Sequence, residues 1–591
     1  MNKREPYGGR TRKLVVALDV GTTFSGVSYC LLDPGQVPEI KGVTRFPYQE
    51  LASADSKIPT VIWYDKDGNV REVGAGAMRD GVESIAAVEE WFKADLFKLH
   101  LSPKHLRREL KASAIPIPPL PPGKTIVDVF TDFLAYLYMC TKTFISEHHP
   151  NGPQLWRSVQ STVEIVLSHP NGWEYIEQDK MRRAAIRAGL VPDLDEGLKR
   201  VHFVTEGEAS LHYCISNNLN TEGMKSGGRI LVIDAGGGTV DISAYERRME
   251  QGKQFYGEMY KAECHFQGSI FVTENAKKYL QILLKKSVLK DDLRYICEAF
   301  DKTTKPRFRT STEFAVIKYG GPRDSDPDIG INNGQLILPG PQVAEFFKPS
   351  VDCIVKAILA HQQSILKAST VFLVGGFSAS DWLFKSIRSQ VESEGVTLCR
   401  PDGHTNKVVA DGAVSWHLDR RVSSRVSKFT YGVKASENYS ESDRQHLRRK
   451  SRSFRQFSGR ICIPGLFTTI LPKDTKVKEQ QEFRYSYHVE LEESDEKLIH
   501  REIICYRGSR NTPKWVDEDP DHFETICTLE ADLTNMIKDH PPVKGPDDTY
   551  YYTFDYDIII LFGMTELVAQ IAWEEKGEEK RGPVRIVYNA V

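Results

Sequence analysis

Asp19-Val20-Gly21-Thr22-Thr23-Phe24-Ser25 closes a buried apolar run at 13–19 (KLVVALD), and Asp234-Ala235-Gly236-Gly237-Gly238-Thr239-Val240-Asp241 closes a second one at 230–234 (ILVID), some 200 residues on. A third turn, Val374-Gly375-Gly376-Phe377-Ser378, follows 370–374 (TVFLV) and precedes a helical pattern. In each, glycine lets backbone N–H groups approach an anion with no Cβ in the way. The threonines add neutral donors. A carboxylate repels phosphate, so the strand-end aspartates can serve only through a divalent cation and its waters. Two such turns can clamp the β- and γ-phosphates of a ligand between them, and the third leaves room for a nucleoside at a helix start. One turn of this kind is common after a strand. The pair with the late Val-Gly-Gly carries the reading, and no GxxxxGK[ST] loop competes with it.

Strand and helix signals alternate around these turns. Residues 13–19 and 25–33 (SGVSYCLLD) read as a hairpin of buried strands. Further strands are expected within 56–73, and a helix at about 82–99. The run 115–123 (IPIPPLPPG) reads as a stiff surface loop or as a polyproline ligand for an SH3-like partner. Ile126, Phe130, Phe133, Leu134, Leu137 and Tyr138 have helical spacing within 125–147. Strands at 162–168, 201–205, 230–234 and 370–374 alternate with helices at 177–189, 269–286, 290–304 and 346–360, which predicts a layered α/β domain. After Arg421, short strand-like runs from RICIPGLF to VRIVY mark an all-β domain. The expected layout is a disordered tail over 1–12, an α/β domain over 13–420 and a β-rich domain over 428–591.

The 591 residues suffice for about four folding units. Cores of that size need no disulfide staples. A formal net charge of −2 argues against a dedicated polyanion binder, so nucleic acid is not an expected partner. Ten scattered cysteines form no CxxC pair, which removes zinc-ribbon and thioredoxin-like chemistry and fits reduced thiols. Cys264-His265 has no partner pair to complete a zinc site. The basic start is followed by apolar residues, but Asp19 interrupts them and no cleavage site follows. No apolar run is long enough for a bilayer. A cytoplasmic protein without membrane partners is expected. The basic run 444–460 (RQHLRRKSRSFRQFSGR) reads as a solvated loop, a nuclear address or a nucleic-acid patch.

The three turns resemble the phosphate-1, phosphate-2 and adenosine motifs of the actin, hexokinase and heat-shock ATPase superfamily. Within it the chain resembles the seventy-kilodalton heat-shock chaperones. Residues 205–210 (TEGEAS) are similar to that branch's NEPTAAA connecting segment, 171–190 (NGWEYIEQDKMRRAAIRAGL) to the N-D-x-Q-R…A-G-L helix before it, and 408–414 (VVADGAV) to the second connecting segment. The resemblance covers about 13–418. It is weaker over 428–591, where ILPKDTKVKEQQEFRYSY and YTFDYDIIILFGMTELVAQIAW resemble strands of the β-sandwich substrate domain. The divergence is like that of the atypical members abundant in fungi. The resemblance implies a two-lobed actin-like, ribonuclease-H-like ATPase domain, with lobe I at about 13–228, lobe II at about 229–400, and a return to lobe I by 418.

Carried over residue by residue, it implies ATP or ADP with Mg2+, and K+ as a further candidate cation. Asp19 and Asp234 would organise the metal through water. Gly21, Thr22, Thr23 and Phe24 would face the phosphates, as would Gly236, Gly237, Gly238, Thr239 and Gly268. Glu206 would hold water and metal near the γ-phosphate. Lys98 is expected as the catalytic lysine, with Lys93 its rival, stabilising charge on the attacking water. Gly375, Gly376, Phe377 and Ser378 would make room for the nucleoside. Glu298, Asp301, Lys302 and Lys305 would contact it within a segment like the family's C-E-x-x-K-R-x-x-S, where Pro306 intrudes and two registers remain. Phe377 stands where the family has a small polar residue, and Asn406 where it usually has aspartate.

The implied activity is slow ATP hydrolysis by in-line attack of water. That would bias a chaperone-like switch whose β-domain grips an extended or unfolded polypeptide along a strand edge. Two departures stand against the chaperone half. Residues 418–427 (LDRRVSSRVS) are polar and basic where the family has a leucine-rich linker. No helical lid or acidic tail for co-chaperones is expected. The alternative is a nucleotide-binding scaffold with little catalysis. A small-molecule kinase of the same fold lacks an acid suited to activate a substrate hydroxyl.

Overall fold

The apolar run at the first turn forms β1 (Lys13–Val20), which is antiparallel to β2 (Phe24–Leu32) in a sheet with β3 (Ile40–Gly42), β4 (Glu164–His169) and β5 (Val201–Thr205), in the order β3-β2-β1-β4-β5. From Leu14 to Val20, β1 is buried at every position, as a central strand covered on both faces should be. This computed structural model describes residues 4–49, 56–112, 116–217, 227–250, 252–364, 367–401, 407–492, 498–534, 541–563 and 566–582. The chain divides into two units, Met1–Val422 and Ser423–Val591.

Among the described residues, the helices packed on the first sheet include three from the segment 126–216. The longest, α1 (Ile126–His148), opens on a reciprocal cap between Thr125 and Asp128 and buries Phe130, Phe133, Leu134 and Leu137. α2 (Tyr175–Arg187) and α3 (Glu206–Ser216) follow β4 and β5. A second sheet of the same unit contains β6 (Arg229–Ala235), β7 (Val240–Glu250), β8 (Lys253–Glu258), β9 (Thr370–Val374) and β10 (Thr397–Cys399), ordered β10-β9-β6-β7-β8. Its helices include α4 (Ser269–Leu283), α5 (Gly340–Gln363) and α6 (Asp381–Val391), whereas α7 (Val408–Asp419) returns to pack on β1, β2 and β4 of the first sheet and on α3.

Both sheets use one construction. β1 turns back antiparallel through β2 and lies parallel to β4. β6 turns back through β7 and lies parallel to β9. The register pairs Asp19 with Gly26 and Asp234 with Asp241, so each turn springs from a strand-end aspartate. The parallel neighbours end at the same level, bringing Ser168 beside Asp19 and Gly375 beside Asp234.

Three sequence expectations change. The helix expected at 82–99 is a short helix (Val82–Val88), a strand (Phe92–Asp95) and a 3₁₀ turn (Phe97–Leu101). Glu90 and Leu96 take left-handed backbone, which a helix cannot continue through. The strand pairs Lys93 with Trp63. The helix expected at 290–304 runs as Leu293–Ala299, widens into a π turn at Phe300–Thr304, and resumes at Lys305–Arg307. Pro306 has no N–H to return to the preceding turn, and the wider turn accommodates that. Residues 4–12, expected as a disordered tail, lie against the unit. Arg4 pairs with Asp419 at 3.0 Å, and Tyr7 exchanges backbone hydrogen bonds with Gly35 and Gln36.

The second unit is antiparallel β. One sheet joins Thr430–Asn438, Ile461–Leu471, Leu498–Tyr506 and Phe523–Asp532. The other joins Phe483–Glu492, Tyr550–Gly563 and Glu566–Glu575. The Arg501 guanidinium of the first lies 5.4 Å from the ring centre of Tyr556 in the second. The expected strand VRIVY lies outside the described residues.

Candidate functional site

The two strand-end turns of the first unit meet. A Cβ on Gly237 would fall 2.3 Å from the Thr23 hydroxyl oxygen, and one on Gly238 2.5 Å from that of Thr22. Only glycine permits that approach. Gly375 is needed twice over: its φ is +85°, and a Cβ there would stand 2.1 Å from Asp234 Oδ1. Beside these turns opens a cavity of about 810 Å3. Asp19, Gly21, Thr22, Thr23 and Phe24 line it from the first turn, and Asp234, Gly236, Gly237, Gly238 and Thr239 from the second. Gly375, Gly376 and Phe377 line it from the third, and Asp301, Lys302 and Lys305 from the π-turn segment.

Three buried carboxylates, Asp19, Glu206 and Asp234, line its floor, and a fourth, Asp241, is buried behind them. Asp19 receives Lys57 Nζ at 2.8 Å and Ser168 Oγ at 2.9 Å. Burial raises its carboxyl, and Lys57 with Lys98 more than offsets this, leaving it below the ordinary value. Glu206 opens α3 and accepts from Lys98 Nζ at 2.6 Å. Burial pushes its carboxyl up against the pull of Lys98. Asp234 accepts from Ser210 Oγ at 2.9 Å. Burial, then repulsion from Glu206 and Asp241, raises it well above the ordinary range. Asp241 accepts the Asn171 N–H at 2.6 Å, and burial raises it too.

Lys57 and Lys98 are the ammonium groups paired with these acids. Among the described residues, neither Asp234 nor Asp241 has a cation at ion-pair distance. Among the described residues no cluster of three or more ligating side chains is placed to hold a metal ion directly, so a divalent cation could be held here only through water, with Asp19, Glu206, Asp234 and Asp301 as the acids that line the cavity.

Lys98 lines the cavity as expected: it is 2% exposed, with its ammonium on Glu206 and 5.4 Å from the Trp173 ring centre. Other expected residues lie elsewhere. Lys93 pairs with Glu83 and Asp95 instead and does not line the cavity. Glu298 turns to the surface, where it pairs with Arg294 at 2.9 Å and Lys302 at 3.8 Å. Gly268 and Ser378 act behind the turns. A Cβ on Gly268 would meet Gly237 O at 2.5 Å, and Ser378 Oγ donates to Gly375 O at 2.6 Å. Asn406 lies outside the described residues. Sequence reasoning missed Lys57 and Ser168, which no motif marks, and gave no role to Ser210 and Asn171, although they lie within the motif-like segments 205–210 and 171–190. Lys305 donates to Ser269 Oγ at 2.7 Å and pairs with Asp301.

Fold and cavity define a mixed α/β unit with glycine-rich turns around a carboxylate-floored cleft, joined to an antiparallel β unit. The comparisons point the same way. The chain is 23% identical to human heat shock 70 kDa protein 12B over 71% of each chain. It is also 23% identical to the mouse protein 12A over 75% of each, and to human 12A over 72% of this chain and 73% of that one. The relationship to heat-shock 70 proteins is distant, and these mammalian relatives lend no support to a fungal branch. No family model matches the chain. Among the described residues, no helix is long and apolar enough to cross a membrane.

Proposed function

We propose that this chain binds ATP with Mg2+ in the cleft of an actin-like domain and hydrolyses it slowly. The observation that carries the reading is the contact of Gly237 and Gly238 with Thr23 and Thr22 beside an acid-floored cavity. Backbone N–H groups of both turns, with Thr22, Thr23 and Thr239, would bind phosphate oxygens. Mg2+, when bound, would neutralise phosphate charge. Asp19 and Asp234 would hold its waters. Glu206 would orient the attacking water, and Lys98 would steady the developing charge. Phe377 packs on Phe347 with ring centres 6.1 Å apart, making an apolar wall for the base.

In this reading the second unit is a β-sandwich that binds extended polypeptide, and nucleotide state biases its affinity. All ten cysteines are free thiols, which supports a reducing, cytoplasmic setting, with nuclear entry through the basic run as the alternative. The test is ATP turnover by the full chain, alone and with an unfolded peptide, for wild type and Lys98→Ala. Peptide-stimulated turnover lost in the variant supports the reading. Tight ATP binding without turnover would leave a nucleotide-binding scaffold, and no binding would remove both.

A further inference from the structure

The first unit has a second cavity of about 830 Å3, at the C-terminal end of α7 beside β8. It shares no lining residue with the cleft. Its acids are largely spoken for: Asp419 pairs with Arg4 at 3.0 Å, and Glu164 with Lys13 at 3.6 Å and His202 at 2.9 Å. Two guanidiniums facing it are not. Among the described residues, neither Arg247 nor Arg421 has a carboxylate at ion-pair distance. Their polar contacts are weak: Arg421 reaches Gln254 O at 3.4 Å, and Arg247 reaches Met249 Sδ at 3.9 Å.

We infer that Arg247 and Arg421 form an oxyanion site that takes the phosphate or carboxylate group of a small ligand. The backbone brings the two arginines together around one residue. Arg247 is the cross-strand partner of Tyr256, and the Tyr256 N–H donates to Arg421 O at 2.8 Å. The two arginines flank Tyr256 on opposite sides, two strand spacings or about 10 Å apart, and long side chains from both can converge on one anion between them. Both guanidiniums also act on the Tyr256 phenol: burial raises it, while Gln254, Arg247 and Arg421 pull it down.

The Nε–H groups of Arg247 and Arg421 are buried without an acceptor, as is Nδ1 of the lining residue His417. Buried donors of this kind find partners in folded proteins. A planar guanidinium fork matches the oxygen pair of a phosphate or carboxylate. The cavity volume suits a small molecule. Lys253 adds one more cation and Glu5 one anion, both at the exposed rim.

The test is calorimetric titration of the full chain at low ionic strength with inorganic phosphate and, separately, with malonate, chloride serving as reference. At least one of the two should bind more tightly than chloride, and which one does so names the ligand group. Arg247→Met and Arg421→Met should each weaken that binding at least about tenfold. Should either fail to fold by near-UV circular dichroism, Arg247→Lys and Arg421→Lys keep the charge but lose the fork, and a drop of at least about threefold is expected. If neither anion binds better than chloride, or if binding survives substitution at both positions, the site does not exist.

Discussion

Thr22 and Gly238 come from different sheets, yet a Cβ on Gly238 would lie 2.5 Å from the Thr22 hydroxyl oxygen. Threonine is stiff at its first side-chain torsion, so a methyl group there must push the turns apart. Gly238→Ala should therefore weaken ATP affinity at least about tenfold, equivalent to about 1.4 kcal/mol. The same displacement strains the nucleotide-free fold, so its melting midpoint should fall as well. Calorimetry beside a melting curve checks both halves.

Lys57 bonds to Asp19, whose side chain is 4% exposed while that of Lys57 is 17% exposed. Removing one partner of a buried pair costs about 3–5 kcal/mol, and the partial exposure of Lys57 favours the lower end. Lys57→Met should lower nucleotide-free stability in urea by about 3 kcal/mol. Lys57→Arg should retain most of it. An unaltered midpoint for the methionine variant would show that the pair contributes nothing.

Asp234 is held in the fold against burial and the repulsion of two neighbouring acids. A neutral amide in place of the carboxylate would relieve that repulsion while still accepting from Ser210. Asp234→Asn should thus raise or preserve the melting midpoint of the nucleotide-free chain, yet abolish the Mg2+ dependence of ATP binding. Stability and binding moving in opposite directions marks an acid kept for a ligand. A fall in both would assign it a purely structural role.

Glu177 on α2 is buried, and burial followed by repulsion from Glu174 pushes its carboxyl up to about 8 from 4.5. The folded chain then binds a proton that the unfolded chain releases earlier. Stability contributed below pH 4.5 is lost as pH rises toward 8. Glu177→Gln should flatten this slope, making the variant more stable than wild type at pH 8 by about 1–3 kcal/mol. Urea midpoints between pH 5 and 8 give the comparison.

The parts of the fold legible in the sequence were those with local causes. β1 and β6 stand out because unbroken apolar runs, 14–18 and 230–233, lead into an aspartate, and glycine and threonine follow in the turns. Lys57 was illegible, since its partner is 38 positions away and no pattern precedes the strand it leads. The break after Val88 was hidden because Glu90 and Leu96 are not residues that announce left-handed backbone. Lys98 and Lys93 could not be separated by spacing. Contacts with Glu206 and Trp173, both distant in sequence, decide which of them is buried at the cleft.

The most direct test of the account is calorimetric titration of the full chain with ATP, with Mg2+ and again with EDTA. One site per chain is predicted, with micromolar or tighter affinity in Mg2+ and at least about a tenfold loss in EDTA. Absence of binding heat for ATP and ADP at millimolar concentration, confirmed by an unshifted melting curve, would contradict it.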